Sequence, residues 1–137
     1  MSDKVLERLL TPRTAESDHL DILHDLERSV DLGAFGFLRG VRDRAIMLEL
    51  RKKSGAVRAI GYAWVERVAY DPSEGITLFA SGQKVRLIGS HLNAEIRPNV
   101  RLFQGLTRHR IGWVQEASES AQMQAGERET LIERIEW

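Results

Sequence analysis

The sequence predicts an α+β fold, with N-terminal helices followed by an antiparallel, hairpin-rich sheet or small partly open barrel, one late helix and a C-terminal strand. Three observations predict it. The first thirty or so residues place apolar side chains at helical spacing, the stretch from Ile46 to Ile88 alternates apolar and polar residues between turn signals, and Pro98 to His109 carries one apolar side.

At the N-terminus, Ser2 and Asp3 are caps for a short helix through Leu10, which Thr11-Pro12 ends, because proline disfavours helix in the residue before it. A second helix is expected from about Thr14 to Val30. Leu23, Leu26 and Val30 share one face there, with Asp18, Asp21, Asp25 and Arg28 opposite. The segment Asp31 to Gly40, DLGAFGFLRG, reads as a connector that packs its aromatic residues, since glycines interrupt any period.

Strands follow. Ile46, Leu48 and Leu50 alternate with Met47, Glu49 and Arg51, and Lys52-Lys53-Ser54-Gly55 turns the chain into a strand near Val57 to Tyr62. Arg67 to Tyr70, the turn Asp71-Pro72-Ser73-Glu74-Gly75 and Ile76 to Ala80 form a second hairpin. Ser81-Gly82-Gln83 then leads to Lys84 to Ile88, with Val85 and Leu87 facing the core. Pro98 to His109 is the late helix, with Val100, Leu102, Phe103 and Leu106 on its apolar side. Arg110 to Gln115 is a further strand, Ala117 to Glu127 a loop, and Thr130 to Trp137 the last strand. The run of short hairpins is similar to that of Sm-like and other small RNA-binding barrels, a likeness of fold pattern that carries no site residue onto this chain.

The chain of 137 residues suits one domain, with an acidic helical region at residues 1–38, a basic β-rich core at 39–116 and an acidic loop and strand at 117–137. Its net charge of zero conceals a segregation: residues 1–38 hold four Lys or Arg against eight acids, residues 39–114 fourteen against six, and residues 115–137 two against six. Such asymmetry fits a nucleic-acid surface in the middle, or acidic ends that dock on the basic middle of the same or a neighbouring copy. With no cysteine in the sequence, disulfides, thiolate metal sites and a thiol nucleophile are excluded. No run approaches the roughly 20 apolar residues of a membrane helix, and MSDKVLERLL lacks a secretory pattern, so a cytoplasmic protein without membrane contact is expected.

Motifs for chemistry are sparse. His19 and His24 lie about 140° apart around a helix and cannot share an ion; His19 falls on the apolar face and His24 in solvent. His91 and His109 are candidates for a base, but neither has a carboxylate near in sequence to orient its ring. The glycines of DLGAFGFLRG match neither phosphate-loop pattern. No catalytic residue, metal or cofactor is therefore expected.

Two binding readings remain. As an interaction module, the protein pairs with itself, as a homo-oligomer, or with another protein, through the acidic face Asp18, Asp21 and Asp25 and the terminal strand with Leu131, Ile135 and Trp137. As an RNA or single-stranded DNA binder, it holds phosphates with Arg51, Lys52, Lys53, Arg97, Arg101, Arg108 and Arg110, with Tyr62 and Trp64 available for stacking. Within the late helix Arg101 and Arg108 project within about 20° of one another.

Overall fold

The computed structural model describes residues 29–40, 42–126 and 129–137. Strand covers 48% of it and helix 14%, which makes the protein mostly β and overturns the expected α+β class. In chain order the strands are β1 (Ser29–Asp31), β2 (Phe35–Leu38), β3 (Met47–Arg51), β4 (Val57–Gly61), β5 (Val65–Asp71), β6 (Gly75–Ala80), β7 (Gln83–Ser90), β8 (Ile111–Gln115) and β9 (Leu131–Glu136). A 3-10 turn, Tyr62–Trp64, joins β4 to β5, and two short helices, α1 (Leu102–Thr107) and α2 (Glu119–Gln124), come late. Among the described residues no helix is long and apolar enough to cross a membrane.

The strands form two sheets, ordered β1-β2-β8-β3-β4 and β5-β6-β7-β9. All pairings are antiparallel except β3 with β8, which run parallel with Glu49 opposite Trp113. Both sheets contribute to one apolar cluster, Phe35, Leu48, Leu50 and Val114 from the first and Ile76, Leu78, Leu87, Ile132 and Ile135 from the second, with Leu102 and Leu106 of α1 among them.

The two central hairpins form as their turn chemistry predicts. At the first, the Gly55 N–H donates to the Lys52 carbonyl and the Lys52 N–H to that of Ala56. At the second, the Asp71 carboxylate accepts from the Ser73 N–H at 2.8 Å and from its hydroxyl at 2.6 Å. Gly75 closes this turn at φ 96°, where a Cβ would fall 2.1 Å from the Leu87 carbonyl oxygen. Both the dihedral and the close approach demand glycine. Val85 and Leu87 are buried as expected, and so are Leu48 and Leu50, whereas Ile46, one residue before β3, stays 83% exposed.

Four elements differ from expectation. The helix Ser2–Leu10 and most of the helix Thr14–Val30 lie outside the described residues, but Ser29 and Val30, placed at the end of that helix by their period, belong to β1. DLGAFGFLRG is not a connector: its FGFL forms β2, buried at all four positions because it lies between β1 and β8 and because Trp113 covers Gly36. A strand buried on both faces shows no alternation, so the glycines masked it. The late helix begins at Leu102 and not at Pro98, because Asn99 takes φ 63° and Arg97 pairs with Val100 in a tight bridge. Ala117 to Glu127 contains α2, capped by the Ser118 hydroxyl, which accepts the Ala121 N–H at 3.1 Å.

In β9 the burial departs from simple alternation. A register shift opposite Ile88 and Gly89 turns both Ile132 and Ile135 inward and leaves Glu133 and Arg134 exposed between them. Gly89 sits at the shift, where a Cβ would fall 1.9 Å from the Leu131 carbonyl oxygen.

Candidate functional site

The β3–β4 hairpin gathers cations at one end of the first sheet and places them on indole rings. Arg51 lies with its Cζ 4.6 Å from the centre of Trp113 and its Nε 3.4 Å from a Glu49 oxygen. Lys52 Nζ is 4.0 Å, and Arg58 Cζ 4.9 Å, from the centre of Trp137. These contacts tie the C-terminal residue of the second sheet to the hairpin of the first. Lys53 is anchored by its backbone, whose N–H donates to Glu116 Oε1 at 2.8 Å.

Glu116 is the polar pin of this end. It is 8% exposed, its second oxygen accepts the Ile135 N–H at 2.6 Å, and its own N–H donates to the Arg51 carbonyl at 2.9 Å. One carboxylate thereby joins β9 to the β3–β4 turn, and both of its oxygens are occupied. Beside it opens a cleft of about 740 Å³ between the β1–β2 turn, Arg51 to Lys53, and Gln115 to Ala121. Its walls mix Lys53 with Glu119 and Glu129, so neither charge sign dominates it.

The remaining predicted cations lie at the other end. Because β8 runs parallel to β3, Arg110 precedes β8 near the start of β3, where the Ala45 N–H donates to the His109 carbonyl, while Arg51 ends β3 roughly 13 Å away. Arg110 is committed to structure: its Nη2 donates to the Leu38 and Gly40 carbonyls at 2.5 and 2.8 Å, and its Cζ rests 4.6 Å from the Phe37 ring. Burial, more than the nearby Arg44, holds its guanidinium below the usual arginine range. Arg101 pairs with Glu95 at 3.1 Å and donates to the Asn93 carbonyl, and Arg97 and Arg108 flank α1. The seven cations therefore form two groups and not one track.

Of the aromatic candidates, Tyr62 is buried, with its hydroxyl donating to the Ile111 carbonyl at 2.5 Å and its ring 4.5 Å from that of His109. Trp64 is 67% exposed. His91 is exposed, and its carbonyl accepts the Thr130 hydroxyl. Among the described residues no three His, Asp or Glu are placed to hold a metal ion. Asp18, Asp21 and Asp25 lie outside the described residues, as do His19 and His24. In the terminal strand, Ile135 belongs to the core, Leu131 is half-buried and Trp137 carries the Lys52 and Arg58 contacts; the strand itself pairs with β7 of its own sheet.

A surface that the sequence did not single out lies along β4. The described sheets have four edge strands, β1, β4, β5 and β9. Two expose several charges, β5 with Glu66, Arg67 and Asp71 and β9 with Glu133 and Arg134, and the described part of β1 exposes Asp31. β4 reads Val-Arg-Ala-Ile-Gly, and its one charge, the exposed Arg58, lies over Trp137 on the side opposite Val57, Ala59 and Gly61.

On the outer side of β4 its own residues are apolar. Val57, Ala59 and Gly61 share that face with Arg51, Glu49 and Met47 of β3, directly opposite them in turn, and with Trp64, whose Cδ1 would lie 2.9 Å from a Cβ at Gly61. Val57 is 55% and Met47 46% exposed. The Lys52–Ala56 and Tyr62–Ile46 hydrogen bonds set the phase of the β3–β4 ladder, so Arg58 and Ile60 turn their backbone groups to β3 while the N–H groups of Val57, Ala59 and Gly61 point away from it.

Comparison with protein-family models, with curated proteins and with solved structures gives no match.

Proposed function

We propose that the protein is a small interaction module that binds extended polypeptide by adding it as a strand to the free edge of β4. The observation that carries this reading is the contrast among the described strand edges: β5 and β9 expose two or more charges each, as sheets that avoid pairing do, whereas β4 has one, Arg58, and presents Val57, Ala59 and Gly61 on its outer side beside the exposed Met47 and Trp64. Edge addition draws affinity from main-chain hydrogen bonds and selectivity from pockets for alternate side chains. Here the outward N–H groups of Val57, Ala59 and Gly61 supply the first and the Met47–Trp64 surface the second.

The test is selection of a random peptide library on the immobilised protein, with Ala59→Pro as the counter-target. This substitution removes an outward N–H without taking a hydrogen bond from the β3–β4 ladder. Binders with alternating apolar residues that prefer the parent protein by about tenfold or more are expected, on the scale of losing a main-chain pair and an adjacent fit. Enrichment of peptides that bind both proteins equally would refute the reading.

The basic end supports a second reading, binding of RNA or single-stranded DNA, because Arg51, Lys52, Lys53 and Arg58 lie at that end, Arg51 against Trp113 on one face and Lys52 and Arg58 against Trp137. Anisotropy of labelled single-stranded RNA should then rise with protein and fall steeply with salt. No binding at low salt refutes it.

A further inference from the structure

We infer that the strand added at β4 belongs to a second copy of this chain, paired antiparallel about a two-fold axis through Ala59. This rests on the β4-edge reading and names its partner. The register and the side chains of the edge are self-complementary. With the two Ala59 residues opposite one another, Val57 falls opposite the second copy's Gly61, and Arg58 opposite the second copy's Ile60. The two Ala59 residues exchange their N–H and C=O groups, and each Gly61 exchanges both with the other copy's Val57, about six hydrogen bonds in all.

Side chains fit the same register. Gly61 has no Cβ, and Trp64 lies over it, its Cδ1 2.9 Å from where a Cβ would stand. The exposed Val57 of the other copy lies beside that indole, which is otherwise 67% exposed, and covers part of its edge. Like charges do not stand directly opposite: Arg58 meets an apolar Ile60 and lies diagonal to its equivalent, roughly 8 Å away, each guanidinium drawn over its own copy's Trp137, and Glu49, opposite Ala59 in β3, stands about three strand spacings, roughly 14 Å, from its equivalent. An isologous contact of this kind closes at two copies.

The contact is small beside a standard interface of about 800 Å² per partner, so a dissociation constant of about 1–100 µM is expected.

The chain has no cysteine, which allows a direct reading of register. In the proposed dimer the two Ala59 Cα atoms are about 5.5 Å apart, within disulfide range, whereas the two Val57 residues are displaced by roughly 13 Å along the strands. Full-length Ala59→Cys and Val57→Cys are oxidised at roughly 50 µM, at the scale of the expected affinity, and resolved without reductant. Sedimentation of the parent and of Ala59→Lys runs alongside, with Ala69→Lys on the β5 edge as control and circular dichroism to verify folding.

Covalent dimer from Ala59→Cys but not from Val57→Cys is expected, with concentration-dependent dimerisation of the parent weakened about tenfold or more in Ala59→Lys and unchanged in Ala69→Lys. A parent that stays monomeric, or equal cross-linking at both positions, overturns the inference. If such a monomer still captures library peptides at β4, the edge-binding function stands and only the partner is wrong; if it captures none, both fail.

Discussion

Removing the Glu116 carboxylate tests how the two sheets are held together at the basic end. Its oxygens accept from a buried Ile135 N–H at 2.6 Å and a partly buried Lys53 N–H at 2.8 Å. A hydrogen bond to a charged acceptor contributes about 1.5–3 kcal/mol, and a donor left buried without a partner forfeits that whole amount. Assigning the upper part of the range to Ile135 and about 1 kcal/mol to Lys53, Glu116→Ala should cost about 3–4 kcal/mol, a large share of the roughly 5–15 kcal/mol that holds a domain folded. Glu116→Gln retains one acceptor and should cost about 1–3 kcal/mol. Urea unfolding followed by tryptophan fluorescence reads both, and with a slope of roughly 2 kcal/mol/M the alanine variant should lose about 1.5–2 M in midpoint. An alanine variant within about 1 kcal/mol of the parent would show that water replaces the carboxylate at no cost and would refute the account of Glu116 as the pin.

Three further outcomes follow from single residues. Gly89→Ala forces a Cβ to within 1.9 Å of the Leu131 carbonyl oxygen and should cost more than about 3 kcal/mol, read by the same unfolding curve, because backbone and not a flexible side chain must move. Burial pushes the Tyr62 phenol well above its ordinary 10.0; the stability linked to this is full below pH 10.0 and lost as pH rises past it, when the unfolded chain ionises first. Tyr62→Phe should therefore be about 1 kcal/mol less stable at neutral pH yet decline less steeply in alkali, measured as thermal midpoint against pH. The hydrogen bonds from the Ser73 side chain and backbone hold the Asp71 carboxyl below its ordinary 3.8, so its stabilisation is present above pH 3.8 and lost as pH falls through the depressed value. Asp71→Ala should flatten the acid limb of the same profile, and an unchanged limb would remove Asp71 from the account.

Local chemistry made the hairpins legible in the sequence. The turns at Lys52–Gly55 and Asp71–Gly75 depend on residues a few positions apart, and the alternation of Leu48 with Leu50 and of Val85 with Leu87 reports a sheet face that is wet on one side only. β8 and β9 were legible as apolar runs rich in strand formers, although neither alternates simply in burial. β2 was hidden because its burial on both faces comes from β1, β8 and the Trp113 ring, all distant in sequence or set by pairing. The Ser118 cap of α2 was a local signal, though its helix is only six residues long.

The basic centre shows the same division. Composition determined that fourteen Lys or Arg lie between residues 39 and 114, but not which of them face a partner. The parallel pairing of β3 with β8 sends Arg51 and Arg110 to opposite ends of one sheet, and the fold commits Arg110 to two carbonyls and Lys52 to an indole. The free edge of β4 was not legible, since whether a strand is an edge depends on what fails to pair with it. By itself the sequence determined turns, alternation and charge, which are properties of neighbouring residues; only the tertiary structure decided strand order, the Glu116 pin and which of the described strands lie at an edge, because these arise from hydrogen bonds between segments that the chain brings together from afar.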